Sequence, residues 1–170
     1  MNAVHQIDVI TDQHIDVVTL RLGGEWMALP ADCLREILEP VAVTRVPQST
    51  PFSSGLINVR GVVVPLTDLK VAFGMPRTDP DADTRMLVLD LPLNGETITV
   101  AITADKVHEV TVLDVSTLDD VPSVGLRWPP EFVRGIGKQE DEFLLLPNLE
   151  AIFQQFCPKG IAAKQIEEGN

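Results

Sequence analysis

GLINVRGVVVPLTDL, residues Gly55 to Leu69, is the stretch around which the rest of the chain is organised. Gly55 is followed by the polar pair Asn58 and Arg60, a second glycine (Gly61), the run Val62 to Val64, and Pro65. β-Branched runs bounded by Gly and Pro signal strand rather than helix, so a buried strand is expected from Val62. The Asn-Val-Arg-Gly turn delivers one long cation to the start of that strand. Such an arginine is either half of a structural ion pair or an anchor for a partner.

Upstream of this stretch, Val17 to Leu22 alternates as a strand, Gly23-Gly24 is a two-residue hairpin signal, and Glu25 to Pro30 returns. Asp32 to Leu38 is expected as a short turn or helical stub with Asp32 as its cap. Val41 to Val46 alternates again, and Pro47 to Ser54 is a loop. Downstream, residues 70 to 83 are expected as a loop ending in the acidic DPDAD. Met86 to Leu91 and Glu96 to Thr103 flank Asn94-Gly95, the strongest short hairpin signal. Val107 to Val115 continues as strand, and short strands are expected at Val133 to Ile136 and Phe143 to Leu146. Leu149, Ile152, Phe153 and Phe156 then share one helical face, with Asn148 as cap and Pro158 as terminator.

A repeat underlies this order. Asp32-x-Leu34-x-Glu36-Ile37 recurs as Asp105-x-Val107-x-Glu109-Val110, and Val59-Arg60-Gly61 recurs as Val133-Arg134-Gly135. The chain is thus two copies of a unit of about 70 residues with five strands. Five short antiparallel strands suggest a small closed barrel, because closure removes exposed edges. The expected fold is all-β, two tandem SH3-like five-stranded barrels packed together with a short C-terminal helix. The boundaries are an arm over 1–16, a domain over 17–156 with halves of roughly 17–83 and 84–156, and a polar tail over 157–170.

Composition narrows the partners. A net charge of −12 over 170 residues argues against nucleic acid and an anionic membrane surface, which both call for clustered Lys and Arg. No apolar run approaches the roughly 20 residues of a spanning helix, and the N-terminus lacks the pattern of a secretory signal. Two cysteines, Cys33 and Cys157, make no disulfide framework and fit a cytoplasmic protein with free thiols.

Catalytic signatures are missing: there is no G-x-S-x-G elbow, P-loop or G-x-G-x-x-G. No His/Cys/carboxylate spacing fits a metal, so neither metal nor cofactor is expected. His108 beside Glu109 could serve as a base and Cys33 as a nucleophile, which keeps a hydrolase on the table as the weakest class. A groove between two barrels could instead hold a small molecule.

The hairpin, Leu34 to Leu38, Val43-Thr44-Arg45-Val46-Pro47 and the central stretch together resemble CheW, the adaptor family of bacterial chemosensory arrays. ADKVHEV (104–110), FVRGIG (132–137) and LLLPNLEAIF (144–153) resemble its second half. The resemblance covers about residues 17–156. It implies a non-catalytic, cytoplasmic adaptor at membrane-associated arrays, bridging a chemoreceptor's cytoplasmic tip to the regulatory domain of a CheA-type histidine kinase. Receptor contact then maps onto Gly55, Asn58, Arg60 and Gly61, with Glu36 orienting the arginine; the repeat gives Glu109 and Arg134 the equivalent places, so the same brace is expected in both halves. Kinase-facing strands map onto no particular residues. Ala101, Ala104 and Pro147-Asn148 depart from the family pattern, all in the second half. An adaptor of a non-motility chemosensory pathway fits the same residues.

Overall fold

The computed structural model describes residues 13–53, 55–120, 128–139 and 141–157. Most of the expected N-terminal arm and C-terminal tail, together with Pro158, therefore lie outside the described residues. The first strand already begins within the expected arm, at His14.

Strands β1 (His14–Leu22) and β2 (Glu25–Pro30) meet at Gly23-Gly24, both in the left-handed region with φ +60 and +85. A two-residue turn that follows the strand twist needs positive φ at both positions, which glycine adopts without steric cost. A 3-10 turn over Ala31–Cys33 leads into β3 (Leu34–Leu38) and the two-residue β4 (Thr44–Arg45). Strands β5 (Gly55–Val59) and β6 (Val62–Thr67) form the central hairpin, followed by the one-turn helix α1 (Leu69–Ala72). Then come β7 (Arg85–Leu93) and β8 (Glu96–Ala104), joined through Asn94-Gly95, and β9 (Lys106–Asp114). Strands β10 (Val133–Gln139) and β11 (Glu142–Pro147) precede helix α2 (Leu149–Phe156), whose first turn is capped by the Asn148 side chain.

Four local expectations are corrected. Residues 34–38 are strand, not helical stub, and the Asp32 side chain caps nothing. One turn of helix seldom repays its nucleation, whereas pairing of Leu34–Leu38 with β7 satisfies the backbone. The strand expected over Val41–Val46 shrinks to Thr44–Arg45, with Val41 and Val43 exposed. The Val62–Val64 run is buried only at Val64; Val62 and Val63 project from the hairpin tip. The expected loop over 70–83 begins inside helix α1, where the Asp68 carboxylate accepts from the Lys70 amide at 2.9 Å.

Sheet membership does not follow the two sequence halves. One sheet runs β10-β11-β2-β1-β9, the other β3-β7-β8-β6-β5-β4. The N-terminal hairpin of each half is thus built into the sheet formed by later strands of the other, or earlier ones in the case of β7–β8. Two short parallel pairings, β6 with β8 and β11 with β2, complete the exchange. The sequence repeat survives it with a different offset. The Phe52 carbonyl accepts from the Asp68 amide at 2.8 Å, and the Phe132 carbonyl accepts from the Asn148 amide at 2.7 Å. Both residues of the second pair stand 80 positions after their counterparts, and Asp68 and Asn148 each cap a helix.

The main core lies between the sheets. Leu20, Leu22, Met27 and Leu29 from one meet Leu87, Leu89, Val100 and Ile102 from the other, with Phe52, Phe132 and Phe153 alongside. Lys70 is buried at this junction, 6% exposed. Its Nζ donates to Asp105 Oδ1 and Thr78 Oγ1, each at 2.8 Å, while Asp105 Oδ2 accepts from the Gly23 amide at 2.7 Å.

Candidate functional site

The turn between β5 and β6 is a two-residue loop with Arg60 at φ +54 and Gly61 at φ +86. Arg60 accepts a backbone conformation rare for a residue with a side chain. Asn58 supports it locally, its Oδ1 accepting from the Gly61 amide at 2.8 Å. The Arg60 guanidinium reaches Glu36 Oε2 on β3 at 3.1 Å. In sheet order β3 lies three strands from β6, so this pair closes the curl of the sheet on itself. Arg60 is 81% exposed and Glu36 only 21%. A half-buried carboxylate thus aims a cation that faces outward.

Glu36, Asn58, Arg60 and Gly61 therefore come together, while Gly55 does not. Gly55 begins β5, at the opposite end of the hairpin, opposite Leu66. Its role there is steric: a Cβ would collide with Val43 Cγ1 and lie 3.2 Å from the Thr44 carbonyl oxygen. Exposed apolar side chains adjoin the pair in sequence, two of them from the run expected to be buried. Val62 and Val63 follow the turn, Ile37 follows Glu36, and all three are exposed.

The second expected brace does not form. Among the described residues no ion pair joins Glu109 to Arg134. The Val-Arg-Gly triplets differ in register: 59–61 ends β5 and makes the turn, whereas 133–135 begins β10.

His108 and Cys33 occupy unrelated settings. The His108 ring lies 4.3 Å from that of Trp26, and the Arg21 guanidinium stands 4.1 Å from the Trp26 ring centroid. Glu142 closes this row, accepting from the Trp26 indole N–H and from Arg21 at 2.7 Å. Those hydrogen bonds hold its carboxyl below the usual range. Desolvation against the row, then repulsion from Lys106 and Arg21, lowers the His108 pKa from its ordinary 6.5. The row's contribution from neutral His108 is complete above 6.5 and is lost as pH falls through the lowered value. In a proton NMR titration His108 is expected to titrate below 6.5, moving upward in Arg21→Gln; a value at or above 6.5 in the unaltered chain would refute this.

The Cys33 thiol donates to the Pro30 carbonyl oxygen at 3.1 Å, and its pKa is pushed up to about 11, chiefly by burial. At neutral pH it is a thiol, and the thiolate is the nucleophilic form. Among the described residues no cluster of His, Cys, Asp or Glu is placed to hold a metal, and no helix is long and apolar enough to cross a membrane.

Residues 16–157 match the family model of the CheW-like domain. The chemotaxis protein CheW of Helicobacter pylori is 31% identical over 134 residues, covering 79% of this chain and 78% of that one. Its namesake in Klebsiella aerogenes is 29% identical, covering 77% and 76%. Among solved structures, the scaffolding protein CheW of Thermoanaerobacter tengcongensis superposes with a TM-score of 0.72 at 28% identity, covering 82% of this chain and 87% of that one. The two packed sheets with a short closing helix are the double SH3-like barrel of that fold. With the family model spanning most of the chain and a relative above 30% identity at such coverage, the chain belongs to the CheW family of chemotaxis scaffold proteins.

Proposed function

We propose that this chain is a non-enzymatic adaptor that couples the cytoplasmic tip of methyl-accepting chemoreceptors to a CheA-type histidine kinase. Glu36, Asn58, Arg60 and Gly61 form the receptor contact, and Gly55 holds the hairpin's other end in place. The observation that carries this reading is the geometry of Arg60. It is 81% exposed yet fixed by Glu36 and a left-handed turn, so its ordering is largely settled before a partner arrives. Exposed Val62 and Val63 follow it in the hairpin, and arginine is enriched among interface hot spots.

Arg60→Ala is expected to weaken co-sedimentation with receptor-bearing membranes at least tenfold, equivalent to about 1.4 kcal/mol. Its cost in stability should not exceed about 1 kcal/mol, the range of an exposed pair. Capture of the kinase should persist. A large fall in melting temperature with undiminished receptor capture would mean that the pair is a structural brace and nothing more.

A further inference from the structure

Among the described residues the chain has three asparagines, and two of them are tied. Asn58 Oδ1 accepts from the Gly61 amide at 2.8 Å, and Asn148 Oδ1 accepts from the Ala151 amide at 3.0 Å. Val59 and Leu149 follow them, so in each case a side chain crowds the next peptide nitrogen. Asn94 differs on both counts. It is exposed, its side chain has no hydrogen-bond partner among the described residues, and Gly95 follows it. A Cβ at Gly95 would meet nothing within 4 Å, so the space beside that glycine is open.

The hairpin that carries this turn is thinly supported. Strands β7 and β8 pair as far as Leu93 with Glu96, but β3 leaves β7 at Leu89, and β6 pairs with β8 only at Ala101 and Ile102. The last four pairs, from Asp90 with Thr99 to Leu93 with Glu96, therefore form a ribbon of two strands. Such a ribbon is marginal by itself. Leu91 and Leu93 anchor its inner side in the core, while Asn94 to Thr97 are exposed. Opening of the tip frees the rotation that the closed turn, with Asn94 at φ +54 and Gly95 at φ +82, denies.

We propose that Asn94 is a site of spontaneous deamidation. The deprotonated Gly95 nitrogen attacks Asn94 Cγ. A C–N bond forms, the Cγ–Nδ2 bond breaks, and ammonia leaves with the proton that Gly95 gave up, closing a five-membered succinimide. Water then opens the ring at one of its two carbonyls. Cleavage of the new bond gives aspartate, and cleavage of the original peptide bond gives isoaspartate, whose main chain runs through Cβ. Aspartate tolerates positive φ and keeps the turn. Isoaspartate adds a main-chain atom to a two-residue loop whose length sets the register, so Leu93 and Glu96 no longer close it as before. The partner this chemistry implies is a methyltransferase that recognises isoaspartyl carboxylates.

The test incubates the full folded chain at mildly alkaline pH and maps the products by mass spectrometry after digestion, with acetyl-Leu-Asn-Gly-Glu-Thr-amide as the measure of the unhindered reaction. Asn94 is expected to gain one mass unit, at a rate that rises with pH and is several-fold below that of the peptide, while Asn58 and Asn148 stay unchanged. Unfolding in urea should bring Asn94 up to the rate of the peptide. Isoaspartate is read separately, as methyl groups taken from labelled S-adenosylmethionine by an isoaspartyl methyltransferase. Asn94→Gly, which gives this turn the same pair as Gly23-Gly24, should take up none. An Asn94 still intact after a hundredfold longer incubation than converts the peptide would overturn the proposal. So would equal gains at Asn58 or Asn148, or methyl uptake undiminished in Asn94→Gly.

Discussion

Replacing Lys70 with alanine is expected to destabilise the folded chain by about 3–5 kcal/mol, the range found when one member of a buried ion pair is removed. The side chain of Lys70 is 8% exposed and that of Asp105 32%, so a value nearer the lower end is expected. For a chain of this size each kcal/mol moves the melting temperature by roughly 2–4 °C. Asp105 is the reason the effect is large, because it also accepts from the Gly23 amide. It thereby ties α1 to the β1–β2 hairpin, which belongs to the other sheet. Without the ammonium, a partly buried carboxylate loses its counter-charge. The double variant Lys70→Met/Asp105→Asn should be less damaging than the sum of its parts, a coupling that a double-mutant cycle measures directly. Additive losses, or a Lys70→Ala chain as stable as the original, would show that the pair does not join the sheets energetically.

A second large loss is expected from Phe153→Ala, also about 3–5 kcal/mol, combining lost burial with an unfilled cavity. Phe153 is fully buried, and its ring meets Phe52 edge-on at 5.3 Å. Phe156 stacks on Phe52 at 4.7 Å and reaches Phe132 at 5.9 Å. Phe52 and Phe132 hold equivalent positions in the two halves, so α2 fastens both with one helical face. Gln154→Ala, on the exposed side of the same helix, is expected to change stability by no more than about 0.5 kcal/mol. Chemical denaturation of both variants separates the burial effect from helix propensity. Similar midpoints for the two would contradict the packing assigned to Phe153.

The hairpins and the C-terminal helix were legible because their signals are local. Gly23-Gly24 and Asn94-Gly95 adopt the positive φ values their turns demand, and the spacing of Leu149, Ile152 and Phe153 puts three buried residues on one face. The Glu36–Arg60 pair was legible through family likeness, since 24 residues and several strands separate its members. What escaped depended on partners distant in sequence. Nothing near Lys70 announces burial, because Asp105 lies in another element. Leu34–Leu38 is too short for periodicity to distinguish strand from helix, and β7 decides the matter. The repeat was visible, but the Val-Arg-Gly match set the wrong register and hid the equivalence of Phe52 with Phe132. No local pattern could reveal that hairpins are traded between the halves.

That trade bears on how the chain is made. Residues 14–22 leave the ribosome long before residues 106–114, with which β1 pairs along one whole edge. At translation speeds of about 5–20 residues per second the interval is on the order of 4–17 s. Throughout it the nascent β1–β2 hairpin carries Val17, Leu20, Met27 and Leu29 with no native cover from the strands that will bury them. The sheet that holds β1 and β2 cannot be finished until β10 and β11 are made, near the end of synthesis, whereas all strands of the other sheet lie before residue 105; the newborn polypeptide, rather than the mature one, is thus the form in which this hairpin's apolar face is most exposed to aggregation.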